Sequence, residues 1–306
     1  MTDEIIKTVD LTKVFELKNK KQSITALDNV NISIEEGERF GFLGPNGAGK
    51  TTLIKILTTL LTPTSGSAFI DGISVVDQPR KTKSKVALML ESDMLYNRIT
   101  AYDNLKFFSK IYNVHNYQEK INELTEEFGL EKWLNQYVEN FSSGMRMKLA
   151  LCRTLLLDRE IMFLDEPTLG LDVKSISFIV ERLKKSEKTI FLTSHDMNVV
   201  EKLCDRVAFI NKGKILKIGK TTEISNLKKT DVDIIVEVAK NQKDTLISRL
   251  RGQQYINSVK PQNTGIYINL ESREYYPDLI RILNEFEVLK ISEQKYSLED
   301  LFIKLM

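Results

Sequence analysis

The chain has 306 residues, 42% of them hydrophobic, which is apolar material for a core of ordinary size and a length that suits about two domains. Lys and Arg number 44 against 42 Asp and Glu, so a net charge of +2 gives no bulk electrostatic reason to expect a nucleic-acid partner. The start, MTDEIIKTVD, has no basic-then-apolar leader pattern, and no stretch approaches the ~18 uninterrupted apolar residues of a membrane span. The expectation is a soluble, cytoplasmic protein that meets a membrane only through a partner.

Residues 4–43 read as strands: EIIKTVD, SITALDNVNISIEE and ERFGFLG. Alternation in NVNISI places Val30, Ile32 and Ile34 on one face. The basic cluster Lys18-Asn19-Lys20-Lys21 reads as a solvated hairpin loop. GFLG runs into GPNGAGKT (44–51); KTTLIKILTTLL (50–61) then has helical spacing, and TPTSG (62–66) ends it. SAFIDG and ISVVD are short strands around an Asp71-Gly72 turn. Residues 101–138 are mostly helical, with Leu105, Phe108, Ile111 and Tyr112 as apolar positions. His115 reads as an exposed loop residue. A further helix begins in FSSGMRMK (141–148), where Ser142 suits an N-cap. EIMFLDEP and TIFLTSHD are buried strands, and RVAFINKGKILKIGK is a hairpin. Cys152 and Cys204 make no disulfide framework; both fall in apolar helical patterns as small buried hydrophobes.

Composition shifts at NLKKT (226–230), and the boundary is expected between 228 and 229. Beyond it the order is strand, helix, strand, strand, helix, strand, with Pro277 tolerated in a helix's first turn. That order matches a split βαβ module. A terminal helix, SLEDLFIKLM, is expected to be capped by Ser297.

GPNGAGKT fits the phosphate-loop pattern G-x-x-x-x-G-K-[ST] at Gly44, Gly49, Lys50 and Thr51, between a strand and a helix as the mechanism requires. The backbone N–H groups of such a loop cradle phosphates, Lys50 adds a point charge, and Thr51 offers its hydroxyl to Mg²⁺. IMFLDE then supplies the acids such a site needs: Asp165 to hold Mg²⁺ through water, and Glu166 to orient or deprotonate an attacking water. Taken alone, that acid pair reads as a cap or loop. His195 follows a buried strand, at the end where α/β sites lie, and suits a γ-phosphate donor or a structural role. FSSGM is a second Ser/Gly helix start and so a second natural anion site.

Together these motifs resemble the nucleotide-binding subunit of an ABC transporter, in family order over about residues 5–220. GPNGAGKT resembles the Walker A loop, IMFLDE the Walker B strand, FSSGM the signature usually written LSGGQ, LGLD (169–172) the D-loop, and Ser194-His195 the switch histidine. The C-terminal module ending in SLEDLF resembles the extension of ATPases from drug and antibiotic exporters. The resemblance implies an α/β fold, a P-loop NTPase of ABC type with an antiparallel β subdomain and a helical subdomain over 1–228. A small α+β domain (βαββαβ, ferredoxin-like) would follow over 229–306. It implies an ATPase with ATP and Mg²⁺ as cofactors. Pro45, Asn46, Gly47, Ala48 and Thr52 would join Gly44, Gly49, Lys50 and Thr51 in binding nucleotide, with Phe15 stacked on adenine or simply core. Glu166, His195 and Lys50 would be catalytic.

Two departures stand out. Ser143 replaces the signature's usual glycine and Met145 its glutamine, while Ser142 and Gly144 are retained. Glu91 stands where the family has a glutamine; it can reach Mg²⁺ beside Thr51 and Asp165, or be a solvated loop acid. One chain would carry two phosphate-facing helix starts because it serves two nucleotides. Its own loop holds one ATP, and Ser142, Ser143 and Gly144 close on the ATP of a second copy in a head-to-tail homodimer. The expected partner is a separate transmembrane permease, docked at about Ser92–Tyr112, with export the expected direction. No nucleic acid is expected. The alternative is a soluble ABC-type ATPase with a non-transport target; one cassette and no Cys cluster weigh against it.

Overall fold

A computed structural model describes residues 4–17, 22–90, 95–225, 232–262 and 265–293. The first strands are β1 (Glu4–Leu17), β2 (Gln22–Glu35) and β3 (Arg39–Leu43), followed by a Gly-rich turn and α1 (Lys50–Leu57). Next come β4 (Ser65–Ile70), β5 (Ile73–Ser74), α2 (Pro79–Lys85) and β6 (Val86–Met89), then three helices, α3 (Ala101–Ile111), α4 (Tyr117–Glu127) and α5 (Ser143–Leu156). β7 (Ile161–Asp165), α6 (Val173–Lys184), β8 (Thr189–Ser194), α7 (Met197–Leu203), β9 (Arg206–Asn211), β10 (Lys214–Lys220) and α8 (Thr221–Ser225) follow. The chain divides into two compact units between Thr221 and Thr222. The boundary read from composition, 228/229, lies outside the described residues, as do Lys18–Lys21 and the C-terminal segment with Ser297.

The first unit has two sheets. One is antiparallel, in the order β2-β1-β4-β5; the other has the order β10-β9-β3-β8-β7-β6. In the first sheet, Val30, Ile32 and Ile34 are buried as their alternation requires. In the second, β3, β6, β7, β8 and β9 run parallel, and every residue of β7 and β8 is buried. Parallel strands covered on both faces read as unbroken apolar runs, which is the pattern of IMFL and TIFL. Phe191 of β8 sits at the centre of this layer. Its ring centroid is 5.9 Å from Phe40, 5.5 Å from Phe42 and 5.5 Å from Phe163. Cys152 and Cys204 are buried, and desolvation pushes both thiols well above their ordinary range. His115 is exposed.

Two details depart from the sequence reading. The helix expected over 50–61 ends at Leu57. Thr59 takes a left-handed φ of 62°, the Leu60 N–H bonds the Lys55 carbonyl at 2.8 Å, and the Thr59 N–H bonds Ile56 at 3.0 Å. That is a Schellman ending with threonine in the usual glycine position. On α3, Leu105 is buried as expected, but Ile111 is 55% and Tyr112 39% exposed. The buried face of α3 is Ala101, Asn104, Leu105 and Ser109, and Ile111, the last residue of the helix, stands outside that packing.

The second unit contains β11 (Val232–Val238), α9 (Lys243–Arg251), β12 (Ile256–Gln262), β13 (Gly265–Leu270), α10 (Tyr276–Leu283) and β14 (Val288–Glu293). Its sheet is antiparallel, in the order β12-β13-β11-β14. Val232, Ile234 and Val236 pack with Leu246, Leu250, Leu279 and Leu283 to give the unit its own core. Among the described residues no helix is long and apolar enough to cross a membrane.

The phenylalanine cluster yields a stability prediction. Phe191→Ala should destabilise the first unit by about 3–5 kcal/mol, since it removes a fully buried ring and leaves a cavity. Urea denaturation followed by a probe in that unit should show a correspondingly lower midpoint; an unchanged midpoint would contradict the packing described.

Candidate functional site

The turn from β3 into α1 is fixed by two glycines. Gly49 has φ of 113°, and a Cβ there would lie 2.3 Å from the Ala26 carbonyl. A Cβ on Gly44 would lie 2.3 Å from the Ile210 carbonyl. Backbone cannot yield at such distances, so neither position admits a side chain. Gly49 also caps α1 with no side-chain acceptor, so the first-turn N–H groups stay available for an anion. Residues 45–47 and 49–52, with Ala26, Asp165 and Glu166, line a cleft of about 290 Å³.

Four ionisable or hydroxyl groups, Lys50, Thr51, Asp165 and Glu166, line this cleft, and His195 meets the last of them. Thr51 Oγ1 donates to Asp165 Oδ2 at 2.8 Å. Lys50 Nζ donates to the Gly44 carbonyl at 2.7 Å and lies 3.7 Å from Glu166 Oε1. Glu166 Oε2 lies 2.8 Å from His195 Nδ1 and accepts the His195 backbone N–H at 3.3 Å. Lys50, Asp165 and Glu166 are each at most 7% exposed, so their charges are largely out of water. Isolated buried charges are costly, and here each has an opposite charge or a hydrogen-bond donor. His195 itself is 57% exposed at its side chain, so one face of the ring is free to meet a ligand.

The acid pair is oriented by β8. Glu166 adopts a left-handed φ of 51°, and its N–H is accepted by the Thr193 carbonyl at 3.1 Å and by Thr193 Oγ1 at 3.2 Å. The Thr193 hydroxyl in turn donates to Asp165 Oδ1. Thr193 went unmarked among the site residues read from the sequence. The signal for it is a hydroxyl inside the apolar run TIFLTS, since a buried hydroxyl must find a partner.

The remaining candidates lie elsewhere. Ser142 is exposed and caps α5, accepting the Met145 N–H at 3.2 Å. Ser143 is exposed as well, and neither they nor Gly144 line the cleft formed by residues 45–52. Asp172 caps α6; the Ser175 N–H and hydroxyl hold its carboxyl below the usual range. Phe15, on β1, is 39% exposed with Lys13 Nζ 5.3 Å from its ring centroid, and it is not part of the cleft lining. Glu91 lies outside the described residues.

Comparison with known proteins gives this geometry a context. Residues 27–169 match the family described as ABC transporter. The chain is 38% identical to the ABC transporter ATP-binding protein NatA of Bacillus subtilis, over 70% of this chain and 89% of that protein. It is 34% identical to the bacitracin transport ATP-binding protein BcrA of Bacillus licheniformis, over 99% of this chain and 97% of that protein. A dimeric ATP-binding cassette solved in a post-hydrolysis state with ADP and Pi superposes with a TM-score of 0.66 at 28% identity. It covers 71% of this chain and 98% of the cassette. With its phosphate loop, acid pair and separate capped Ser-Gly helix start, the chain belongs to the ATP-binding proteins of ABC transporters, subunits that dimerise, bind ATP and hydrolyse it to power transport.

Proposed function

We propose that this subunit drives export through a separate membrane permease, and that the residues of the cleft divide the ATPase chemistry among themselves. The observation that carries the reading is the Glu166 carboxylate held between Lys50 and His195 at the mouth of a Gly-rich anion cradle. Residues 44–52 bind the phosphates through backbone N–H groups, and Lys50 turns from the Gly44 carbonyl to the β- and γ-phosphates. Glu166 is the base for the attacking water, with His195 steadying both the carboxylate and the γ-phosphate.

The donors beside the cradle fit Mg²⁺. Thr51 and Asp165 offer hard oxygens 2.8 Å apart. No cluster of three or more His, Cys, Asp or Glu suited to a metal occurs among the described residues. Mg²⁺ takes few protein ligands and fills its shell with phosphate oxygens and water, so a sparse pair suits it better than a cage. Thr51 and Asp165 would hold the ion, which would neutralise charge on the β- and γ-phosphates. Glu91 is a further ligand candidate from sequence alone. Phe15, half-exposed on β1, would stack on the adenine.

Ser142, Ser143 and Gly144 are assigned to the second nucleotide of a head-to-tail pair. Their absence from the chain's own cleft lining supports this, because a capped, exposed helix start is free to meet a γ-phosphate presented by another copy. A groove of about 190 Å³ lined by Leu60, Leu88, Phe108, Tyr112 and Arg153 is assigned to a cytoplasmic helix of the permease. Phe108 of this groove lies 5.9 Å from the Tyr96 ring and 5.4 Å from the Phe107 ring, and these two exposed aromatics suit an amphipathic helix. Arg153 forms its floor, donating to the Leu88 carbonyl at 2.7 Å with its guanidinium 4.6 Å from the Phe108 ring centroid. Burial lowers the Arg153 pKa to about 10. The dock expected at Ser92–Tyr112 overlaps this surface, although Ser92–Met94 lie outside the described residues. Export rather than import is supported by the extent of the likeness. The bacitracin transport relative spans 99% of this chain and a linearmycin resistance protein 92%, whereas methionine import relatives match 72%.

Glu166→Gln keeps the side chain's shape and removes its basicity, so steady-state hydrolysis should fall by about 10²–10⁴-fold while ATP still binds. The variant should elute as a dimer with Mg·ATP and as a monomer with ADP. Adding Ser142→Arg should split that dimer by crowding the facing phosphate. A Glu166→Gln variant that stays monomeric at high concentration with Mg·ATP would overturn the shared-site reading. Lys50→Ala should abolish hydrolysis and weaken ATP binding; wild-type turnover would remove Lys50 from the site.

A further inference from the structure

Thr193 is fully buried and stands opposite Asp165 in the parallel β7–β8 register. Its hydroxyl makes two contacts at once. It donates its proton to Asp165 Oδ1, and its oxygen accepts the Glu166 N–H at 3.2 Å. One O–H and two lone pairs allow both. Thr51 donates to the other oxygen of the same carboxylate at 2.8 Å. Asp165 is therefore held at both oxygens, by one hydroxyl from α1 and one from β8, and the plane of its carboxylate is fixed.

Glu166, the next residue, has the left-handed φ of 51° that a non-glycine residue keeps only when its surroundings hold it. Its peptide is pinned by the carbonyl and the hydroxyl of Thr193, and its carboxylate meets the backbone and ring of His195 two residues further on. The end of β8 thus grips both acids.

We infer that Thr193 is a positioning residue for ATP hydrolysis: its one hydroxyl aims the Asp165 carboxylate at the cation position beside Thr51 and locks the peptide that directs Glu166. The inference rests on the roles proposed above for Asp165 and Glu166. It adds a residue that touches neither nucleotide nor water and acts through two that do.

The test uses the full chain with Thr193→Val, which keeps the shape and removes the hydroxyl, and Thr193→Ser, which restores the hydroxyl without the methyl. Loss of a partner that orients a metal-binding group typically costs about 10–100-fold in activity or metal affinity, and Thr193→Val should lose kcat in that range with the KM for ATP at saturating Mg²⁺ little changed. A second readout needs no turnover. In a Glu166→Gln background, the Mg²⁺ concentration giving half-maximal binding of a fluorescent ATP analogue should rise by about tenfold with Thr193→Val. Binding of that analogue in EDTA should stay the same. Thr193→Ser should restore both kcat and the Mg²⁺ dependence.

Wild-type kcat and Mg²⁺ dependence in Thr193→Val would overturn the inference, and so would a Thr193→Ser variant as impaired as the valine. If circular dichroism shows that the valine variant does not fold, Thr193→Ala against Thr193→Ser isolates the same hydroxyl. Glu166→Gln separates the two levels of the argument. If it retains wild-type turnover, the assignment of the acids fails and takes Thr193 with it. If it is inactive while Thr193→Val is normal, only the role of Thr193 fails.

Discussion

At the carboxyl ends of β7 and β8, Asp165 faces Thr193 in parallel register, and the Glu166 N–H carries the ladder one residue further to the Thr193 carbonyl. The geometry of the cleft follows from that extra rung. It turns Glu166 into a left-handed conformation, so its carboxylate swings back toward Lys50 and His195 instead of continuing the strand. The sheet order supplies the rest. β3 pairs with β8, and β8 with β7, so the loop leaving β3 emerges beside the acid pair. Thr51 then reaches Asp165 at 2.8 Å without any movement of the sheet. Ligand sites of open α/β sheets lie at the carboxyl ends of their strands for this reason.

Such an arrangement costs stability. Three ionisable groups, Lys50, Asp165 and Glu166, are buried together, and each would be unfavourable by several kcal/mol if left alone. Their mutual pairing, with the Thr51 and Thr193 hydroxyls on Asp165, offsets that cost. The apolar layer beneath makes this tolerable. Phe40, Phe42, Phe163 and Phe191 are fully buried under the cleft-forming strand ends, and the two short hydroxyl side chains, Thr51 and Thr193, are anchored to that rigid support.

The two helix starts are built differently. α1 begins on Gly49 with no side-chain cap, so its first-turn N–H groups face the cleft. α5 begins on Ser142, which already satisfies the Met145 N–H and stands exposed. The second unit shows separate logic. Asp233 is buried on β11, accepting Tyr267 Oη and Asn269 Nδ2 from β13 at 2.5 Å each. Alternate residues Val232, Ile234 and Val236 meet α9 and α10. A strand with an apolar face and a hydrogen-bonded acid on the other is stable only when both faces are matched.

The sequence by itself determined the local chemistry. GPNGAGKT and the Ser142 cap each carry a mechanism within a few consecutive residues, and IMFLDE gains one once the phosphate loop stands beside it, so their elements and candidate residues were readable without a fold. The alternation of Val30, Ile32 and Ile34 and the strand-helix order after 232 were legible for the same reason, since periodicity is a local property. Contacts between distant segments were decided only by the tertiary structure. Nothing in the spacing of residues 165 and 193 announces that they share a hydrogen bond; the parallel crossover through α6 creates it. The early end of α1 and the exposure of Ile111 were also hidden, because each depends on where neighbouring backbone and packing fall. Thr193 is the clearest case. In sequence it is one hydroxyl in a buried strand, and only the register of β8 against β7 gives that hydroxyl its two partners.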